Sequence, residues 1–387
     1  MPGFEMIGQE ELAQINLLFE HGGGNLYRYG KNAFAVSELE RRFAELFGVK
    51  YAYAVSSGTA AIHCALFGAG IQPGDEIITT SFTFVAPIEA IRALGAVPVL
   101  VEIDDSYHLD PLQVEAAITP RTKAVLAIPM WAAPAMQELQ DICKRHNILL
   151  IEDSAQNLGG KYRGNYTGTF GVVGSFSFDA GKTLTTGEGG MIITNDEGIL
   201  ARASEFADHG HMHVPGLPRG QDPRRAPGLN FRMSELTGAV GLAQLHKLDS
   251  ILRIQKENQL RIQERLRDLP VKFREVSDES GALGDTLIFR MPSQSIAQAV
   301  AMDMAARGIG TKILPEAFNW HFAGFWSHIF PCDSASLLRR WPKTYKQLAS
   351  SIALPVFCRM DARQIENIAA VIREAVCAAM VSCGGKI

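Results

Sequence analysis

Tyr51-Ala52-Tyr53-Ala54-Val55 runs directly into Ser56-Ser57-Gly58-Thr59-Ala60-Ala61, and this junction decides the fold. The first five residues read as a strand. The apolar spacing of Ala60–Ala69 reads as a helix. The same alternation continues to about residue 195. Strand-like runs recur at Glu76–Thr80, Val97–Ile103, Lys123–Pro129, Ile148–Glu152, Ser175–Phe178 and Met191–Thr194. Helix-period segments lie between them at Pro87–Leu94, Leu112–Ile118 and Ala135–His146. Strands that alternate with helices predict βαβ units and an α/β fold with a mostly parallel sheet flanked by helices. Such sheets bind ligands at the carboxyl ends of their strands.

Beyond this region the character changes. Residues 208–233 are rich in Gly, Pro, His and Arg, and a connection this long is expected to carry function or to lack order. Met233–Leu266 reads as one helix, and the remainder as a smaller α+β unit ending in a helix near Asp361–Met380. The expected division is therefore a large domain over 36–250 and a small C-terminal domain over 251–387. Residues 1–35 are expected to pack with the latter. The 387 residues amount to about two to three domains at roughly 150 residues each.

Composition excludes several classes. Apolar residues make up 47% and charged residues 20%, as in an ordinary globular protein. Lys plus Arg is 37 against 41 Asp plus Glu, so no basic surplus points to nucleic acid. Ala86–Val101 is the longest apolar stretch, and Glu89 and Arg92 break it well short of the ~18 residues of a membrane span. Ile368–Val381 lacks the basic face of a membrane-surface helix and reads as a buried amphipathic one. The N-terminus shows no secretory pattern. Cys64, Cys143, Cys332, Cys358, Cys377 and Cys383 form no CxxC. Reduced thiols in a cytoplasmic protein are expected.

Three local constellations carry chemistry. Ser56–Ala61 closes a strand and opens a helix, where free amides and the helix dipole make an anion site. An ordinary N-cap reads the same way. Leu149-Leu150-Ile151-Glu152-Asp153 delivers a carboxylate at a strand end, where it could pair with a protonated pyridine, cap a helix or hold a metal. Ser175–Lys182 ends a strand and sets a lysine in a turn of small residues, beside Gly187-Glu188-Gly189-Gly190. Partial desolvation there would free its amine for a Schiff base, whereas an isolated lysine is usually a solvated surface group. An anion cradle, a strand-end acid and a turn lysine, in that order, are what pyridoxal phosphate requires. His209, His211 and His213 alternate, but no carboxylate or cysteine companion stands at metal-ligand spacing, so no metal is expected. No GxGxxG follows the first strand, which argues against a dinucleotide-binding dehydrogenase.

The chain resembles the DegT-type sugar aminotransferases, pyridoxal-phosphate enzymes of fold type I. The likeness runs through residues 56–61, 74–86, 118–125, 151–156, 176–190 and 228–236. It implies pyridoxal 5′-phosphate as cofactor, with pyridoxamine 5′-phosphate between half-reactions. It makes Lys182 the catalytic Schiff-base lysine and Asp153 the partner of the pyridine nitrogen. Gly58, Thr59 and Ser177 would hold the phosphate, Phe84 would stack on the ring, and Gln156 would lie near the phenolic oxygen. Asn230 would reach the phosphate of a neighbouring subunit, which implies a homodimer with shared sites. One departure is visible. Pro129-Met130-Trp131-Ala132-Ala133-Pro134 stands where many members carry a His-x-x-Gly-type stretch, so Trp131 either lines the substrate pocket or packs. Tyr27-Arg28-Tyr29, Asp208-His209-Gly210-His211 and Asn319-Trp320-His321 are similar to a bacterial subgroup that aminates C8 of 3-deoxy-manno-octulosonate for lipopolysaccharide. That likeness implies L-glutamate as donor and a small sugar acid as acceptor. Arg28, Trp131 and His321 become candidate substrate residues, with Arg28 and the arginines of 208–233 suited to bidentate carboxylate pairing. Aminotransferases for aminohydroxybenzoate, aminocyclitols and nucleotide-linked keto sugars share several of these segments. Lys182 separates the chain from family dehydratases, which carry histidine there, and the Lys182–Asp153 pair argues against a non-catalytic regulator.

Overall fold

The computed structural model describes residues 2–315 and 318–382. A seven-stranded sheet forms its centre: β1 (Tyr51–Val55), β2 (Glu76–Thr80), β3 (Val97–Val101), β4 (Thr122–Ala127), β5 (Leu149–Asp153), β8 (Val173–Ser177) and β9 (Gly190–Thr194). The two-residue strands β6 (Lys161–Tyr162) and β7 (Asn165–Tyr166) make a hairpin outside it. The order across the sheet is β1-β9-β8-β5-β4-β2-β3. Every neighbouring pair from β8 to β3 is parallel, and β9 alone runs antiparallel, to both β1 and β8. The expected strands are therefore present, each within about two residues of its predicted ends. β2, β8 and β9 are buried along their whole length, as helices on both faces require.

Helices follow the strands as the sequence pattern requires. Gly58–Gly68 starts where β1 ends, with the Ser57 hydroxyl accepting the Ala60 N–H at 3.0 Å. Ala86–Ala93, Pro111–Ala116 and Met136–His146 return the chain after β2, β3 and β4. The small unit is an antiparallel sheet of β10 (Lys272–Phe273), β11 (Thr286–Arg290) and β12 (Ser351–Pro355), backed by the helices Gln294–Ala306 and Ala362–Ser382. Its core joins Leu287, Phe289, Val300, Ile352 and Ile372. The apolar stretch near the C-terminus is thus half of a buried helix pair.

One helix, Glu235–Arg265, serves both units. Leu242 and Leu248 pack with Val36, Leu39 and Phe43, whereas Ile262 belongs to the small unit's core. The change of core falls inside a continuous helix. The N-terminal segment divides its contacts. Glu11 accepts from Lys247 Nζ at 2.8 Å on that helix, and Glu5 accepts the Cys358 N–H at 2.8 Å. The Gly3 N–H donates to the Lys182 carbonyl at 3.1 Å.

Residues 318–349, ahead of β12, return to the large unit. Phe322, Trp326, Trp341 and Leu348 join the cluster of Ile62, Phe82 and Ile88. Backbone bonds fix this return, with the Thr83 N–H donating to His321 O at 2.8 Å and the Ala323 N–H to Ser81 O at 3.0 Å. A segment distant in sequence thereby closes one side of the cavity above the strand ends. Among the described residues no helix is long and apolar enough to cross a membrane.

Candidate functional site

The carboxyl ends of β1, β2, β5 and β8 meet at a cavity of about 390 Å³. Gly58, Thr59, Phe84, Asp153, Gln156, Ser177, Lys182 and His321 all line it. The structure therefore gathers most of the residues singled out in the sequence.

The end of β1 forms the cradle. The backbone N–H groups of Gly58 and Thr59 have no partner among the described residues, while those of Ala60 and Ala61 bond back to Ser57. Two free amides thus open on the cavity at the positive end of an eleven-residue helix. Gly58 matters for a second reason. A Cβ there would stand 2.5 Å from Ser177 Cβ and 2.8 Å from Ser177 Oγ. The close approach is between the helix start and β8, and it brings the Ser177 hydroxyl beside the free amides. Gly58→Ala is expected to wedge these apart. Overpacking of this kind typically destabilises by about 1–3 kcal/mol. Titration of the apoprotein with pyridoxal phosphate should show affinity weakened about tenfold or more, a loss of about 1.4 kcal/mol; wild-type affinity would remove Gly58 from the cradle.

β5 ends in two acids on opposite faces, as strand alternation dictates. Glu152 points away from the cavity and accepts the N–H groups of Gly168 at 2.6 Å, Phe170 at 2.6 Å and Gly171 at 2.8 Å. It staples the loop that leads into β8. Asp153 lines the cavity and is 6% exposed. One of its oxygens accepts the Ala155 N–H at 3.1 Å and the Ser175 hydroxyl at 3.5 Å, and it forms no ion pair among the described residues. Burial raises its pKa, against the pull of the Ala155 N–H, Lys182 and Ser175.

Beyond β8 the chain turns through Asp179. Its carbonyl accepts the Lys182 N–H at 2.9 Å and its side chain accepts the Gly181 N–H at 2.8 Å. This turn holds Lys182 on the cavity wall, with no hydrogen bond to its amine among the described residues. Desolvation lowers the pKa of that amine, opposed by Asp153 and Asp179 and assisted by the charge on Lys312.

Phe84 is 40% exposed, unusual for a phenylalanine at a strand end, and its ring lies 5.4 Å from that of His321. His321 is half-buried, and its Nδ1 is buried with no partner among the described residues. Burial, then the charges of Lys182 and Lys312, push its pKa down to about 4, so the ring is neutral near pH 7.

Three sequence candidates lie elsewhere. Arg28 does not line the cavity. Its guanidinium pairs with Glu40 at 2.8 Å, donates to the Ala54 carbonyl at 2.8 Å and stacks over Tyr53. Both ends of the bidentate fork are taken. Trp131 is 2% exposed and packs beside Phe82, so within this chain it is core rather than pocket wall. Asn230 is exposed and bridges Asp208 across the loop. The loop arginines Arg219 and Arg232 both bind Asp208; burial works against that carboxylate, but the two cations hold its pKa at about 2. His211 bonds Asp222 at 3.1 Å, and His213 bonds the Tyr29 hydroxyl at 3.3 Å. The long loop is thus ordered by its own ion pairs.

Lys312 and its partner Asp285 escaped the sequence reading. Lys312 lines the cavity, and its ammonium donates to Asp285 Oδ2 and to Thr286 Oγ1, both at 2.8 Å. The lysine follows Gly308-Ile309-Gly310-Thr311, which carries no recognisable pattern. Only the fold brings it opposite Lys182.

With this geometry in hand, likeness to known proteins becomes informative. The description of the DegT/DnrJ/EryC1/StrS aminotransferase family matches residues 7–373. The chain is 41% identical to the GDP-perosamine synthase of Caulobacter vibrioides over 226 residues, 56% of this chain and 58% of that protein. It is 36% identical to the GDP-perosamine synthase of Vibrio cholerae over 245 residues, 63% of this chain and 65% of that one. The chain thus spans less than two thirds of the length of either curated relative. The crystal structure of 3-amino-5-hydroxybenzoic acid synthase superposes with a TM-score of 0.84 at 25% identity, covering 97% of this chain and 98% of that one.

Proposed function

The chain belongs to the DegT/DnrJ/EryC1/StrS aminotransferase family, and from that premise we propose that it transfers the amino group of L-glutamate to a sugar carbonyl. The acceptor we assign is C8 of 8-oxo-3-deoxy-manno-octulosonate, for lipopolysaccharide sugar synthesis in the cytoplasm. The working unit we assign is a homodimer in which Asn230 completes the partner's phosphate site. The exposure of Asn230, away from the cavity of its own chain, supports that assignment, as do the exposed Leu26, Tyr27, Leu217, Leu229 and Leu236.

The family cofactor is pyridoxal 5′-phosphate. The residues on the cavity fit it. The observation that carries the reading is Asp153, a buried carboxylate with no ion pair among the described residues, in one cavity with a lysine amine and two helix-start amides that have no hydrogen-bond partner among them. A protonated pyridine nitrogen would satisfy the carboxylate. A phosphate would take the amides of Gly58 and Thr59 and the hydroxyl of Ser177. Phe84 offers a ring face to stack against, and Gln156 stands on the same wall. When bound, pyridoxal phosphate supplies an electron sink that acidifies the carbon bearing the amino group.

The chain supplies the rest. Desolvation lowers the pKa of the Lys182 amine and so favours its neutral form, in which Nζ can attack a carbonyl and, once displaced, accept and return the proton of the amino-bearing carbon. Burial raises the pKa of Asp153, and a cation beside it would favour the ionised form, so the carboxylate would hold the pyridine proton in place. His321, neutral near pH 7, adds no charge that would compete for that proton. Ile313 and His321 close the cavity on one side.

The visible spectrum tests the reading. The purified protein should show a band near roughly 400–430 nm that glutamate converts to one near roughly 330 nm, as electron-sink chemistry requires. Addition of 8-oxo-octulosonate should restore the first band. Restoration instead by a GDP-linked keto sugar would replace the acceptor and keep the reaction. No cofactor after reconstitution would undo the proposal.

A further inference from the structure

The cavity contains two amines, and the chemistry assigned so far uses one. Lys312 donates two of its three N–H bonds, to Asp285 and Thr286, and its ammonium lies 5.0 Å from the centre of the Trp131 ring. Its side chain is 15% exposed and that of Asp285 is 7% exposed, so this is a nearly buried ion pair. Such pairs are poor stabilisers, because desolvation offsets their attraction. Holding one open to a binding cavity calls for another reason.

The charges of the lined cavity can be assigned in turn. Asp153 and Lys182 are committed to the cofactor. Asp179 is committed to its turn, where it accepts the Gly181 N–H, and Glu188 is exposed. His321 is neutral. The charge left to meet a substrate is the Lys312 ammonium, with one N–H unspent and an aromatic face fixing its position. Asp285 binds it from the side of β11 and sets where it points.

We infer that Lys312 is a specificity-determining residue, which selects substrates by binding a carboxylate through its free N–H. The inference rests on the aminotransferase reading and deepens it by naming the class of substrate, a carboxylic acid. It also replaces Arg28, whose guanidinium is spent on Glu40 and Ala54, as the cation that meets substrate within the chain. The carboxylate can belong to the amino donor or to a sugar acid acceptor, and both present the same chemistry.

Lys312→Met removes the charge and keeps much of the stem, but it leaves Asp285 buried and unpaired. The double variant Lys312→Met/Asp285→Asn removes both partners and guards against misfolding. Equilibrium binding of glutarate and of its uncharged diamide to the cofactor-loaded protein gives a readout without turnover. Glutarate affinity should fall about 10- to 100-fold in both variants, in line with the loss of a charge-assisted bond, while the diamide changes less than about twofold. Two further comparisons locate the acid. Selective slowing of the half-reaction with L-glutamate relative to L-glutamine assigns it to the donor. Selective weakening of octulosonate relative to its methyl ester assigns it to the acceptor. Equal losses for charged and neutral ligands, or no loss, would overturn the role. If no amino donor changes the spectrum of the wild-type protein, the aminotransferase reading fails, and the glutarate comparison still decides whether Lys312 binds carboxylates.

Discussion

Lys182→Ala is expected to abolish turnover while leaving a folded protein that still binds pyridoxamine phosphate. Nζ of Lys182 has two tasks, covalent attachment and proton transfer, and alanine can do neither. Positioned proton transfer alone contributes about 10²–10⁴-fold, so the loss should reach at least about four orders of magnitude. The fold should tolerate the change. The backbone of the turn is held by Asp179 and by the Gly3 N–H, neither of which uses the lysine side chain. Removing a desolvated amine also removes a group that burial penalises. The cradle of Gly58, Thr59 and Ser177 and the carboxylate of Asp153 remain, so pyridoxamine phosphate should still raise the melting temperature. The band near roughly 400–430 nm should be missing, because it reports a lysine-bound cofactor. Full activity would sink the assignment. Residual turnover within about a hundredfold of wild type, well short of the expected loss, would move the chemistry to Lys312, the other lysine on the cavity.

Local chemistry and periodicity made much of this legible before any coordinates. β1 and β2 begin and end at the predicted residues because turn residues bound their apolar runs sharply. The cavity residues from 58 to 182 were legible for a related reason: each sits at the end of a strand, and strand ends meet in such sheets. The failures have a shared cause in tertiary contact. Arg28 looked free to bind a substrate, yet Glu40 lies 12 residues away on the next helix and claims it. For Trp131 the sequence left pocket and packing open, and the fold buries it to 2% exposure with Lys312 over its ring. Lys312 and Asp285 are 27 residues apart, and no period or motif joins them. Glu152 sat in plain view beside Asp153, but only the sheet shows that its partners are the amides of 168–171. The return of 318–349 to the large unit was invisible for the same reason.

Asp153→Asn is expected to act in opposite directions on the apoprotein and the holoenzyme. Without cofactor, Asp153 is a carboxylate buried with two weak donors and no ion pair among the described residues. Burial raises its pKa above the ordinary value of 3.8, outweighing the Ala155 N–H, Lys182 and Ser175. In the window between those two values the unfolded chain has released this proton and the folded chain has kept it. The unfolded state binds fewer protons there, so apoprotein stability falls as pH rises through the window. Above it the folded state carries a buried charge at a standing penalty. Asparagine removes both the slope and the penalty, and its carbonyl oxygen can still accept the Ala155 N–H. The apoprotein should therefore gain about 1–3 kcal/mol near neutral pH, the scale of an unsatisfied buried polar group. The cofactor reverses the sign. An amide cannot hold the pyridine proton, so the electron sink weakens, and kcat should fall by about 10²–10³, as when one preorganised electrostatic partner is lost. Melting curves of both forms across pH, with kcat measured beside them, separate the two effects. A variant whose apoprotein is no more stable than wild type would show that Asp153 is satisfied without cofactor. A variant that keeps its rate would show that the carboxylate does not serve the pyridine nitrogen. The expected pattern, a firmer apoprotein and a slower enzyme, is that of a site held ready for a cation that pairs directly with its buried carboxylate.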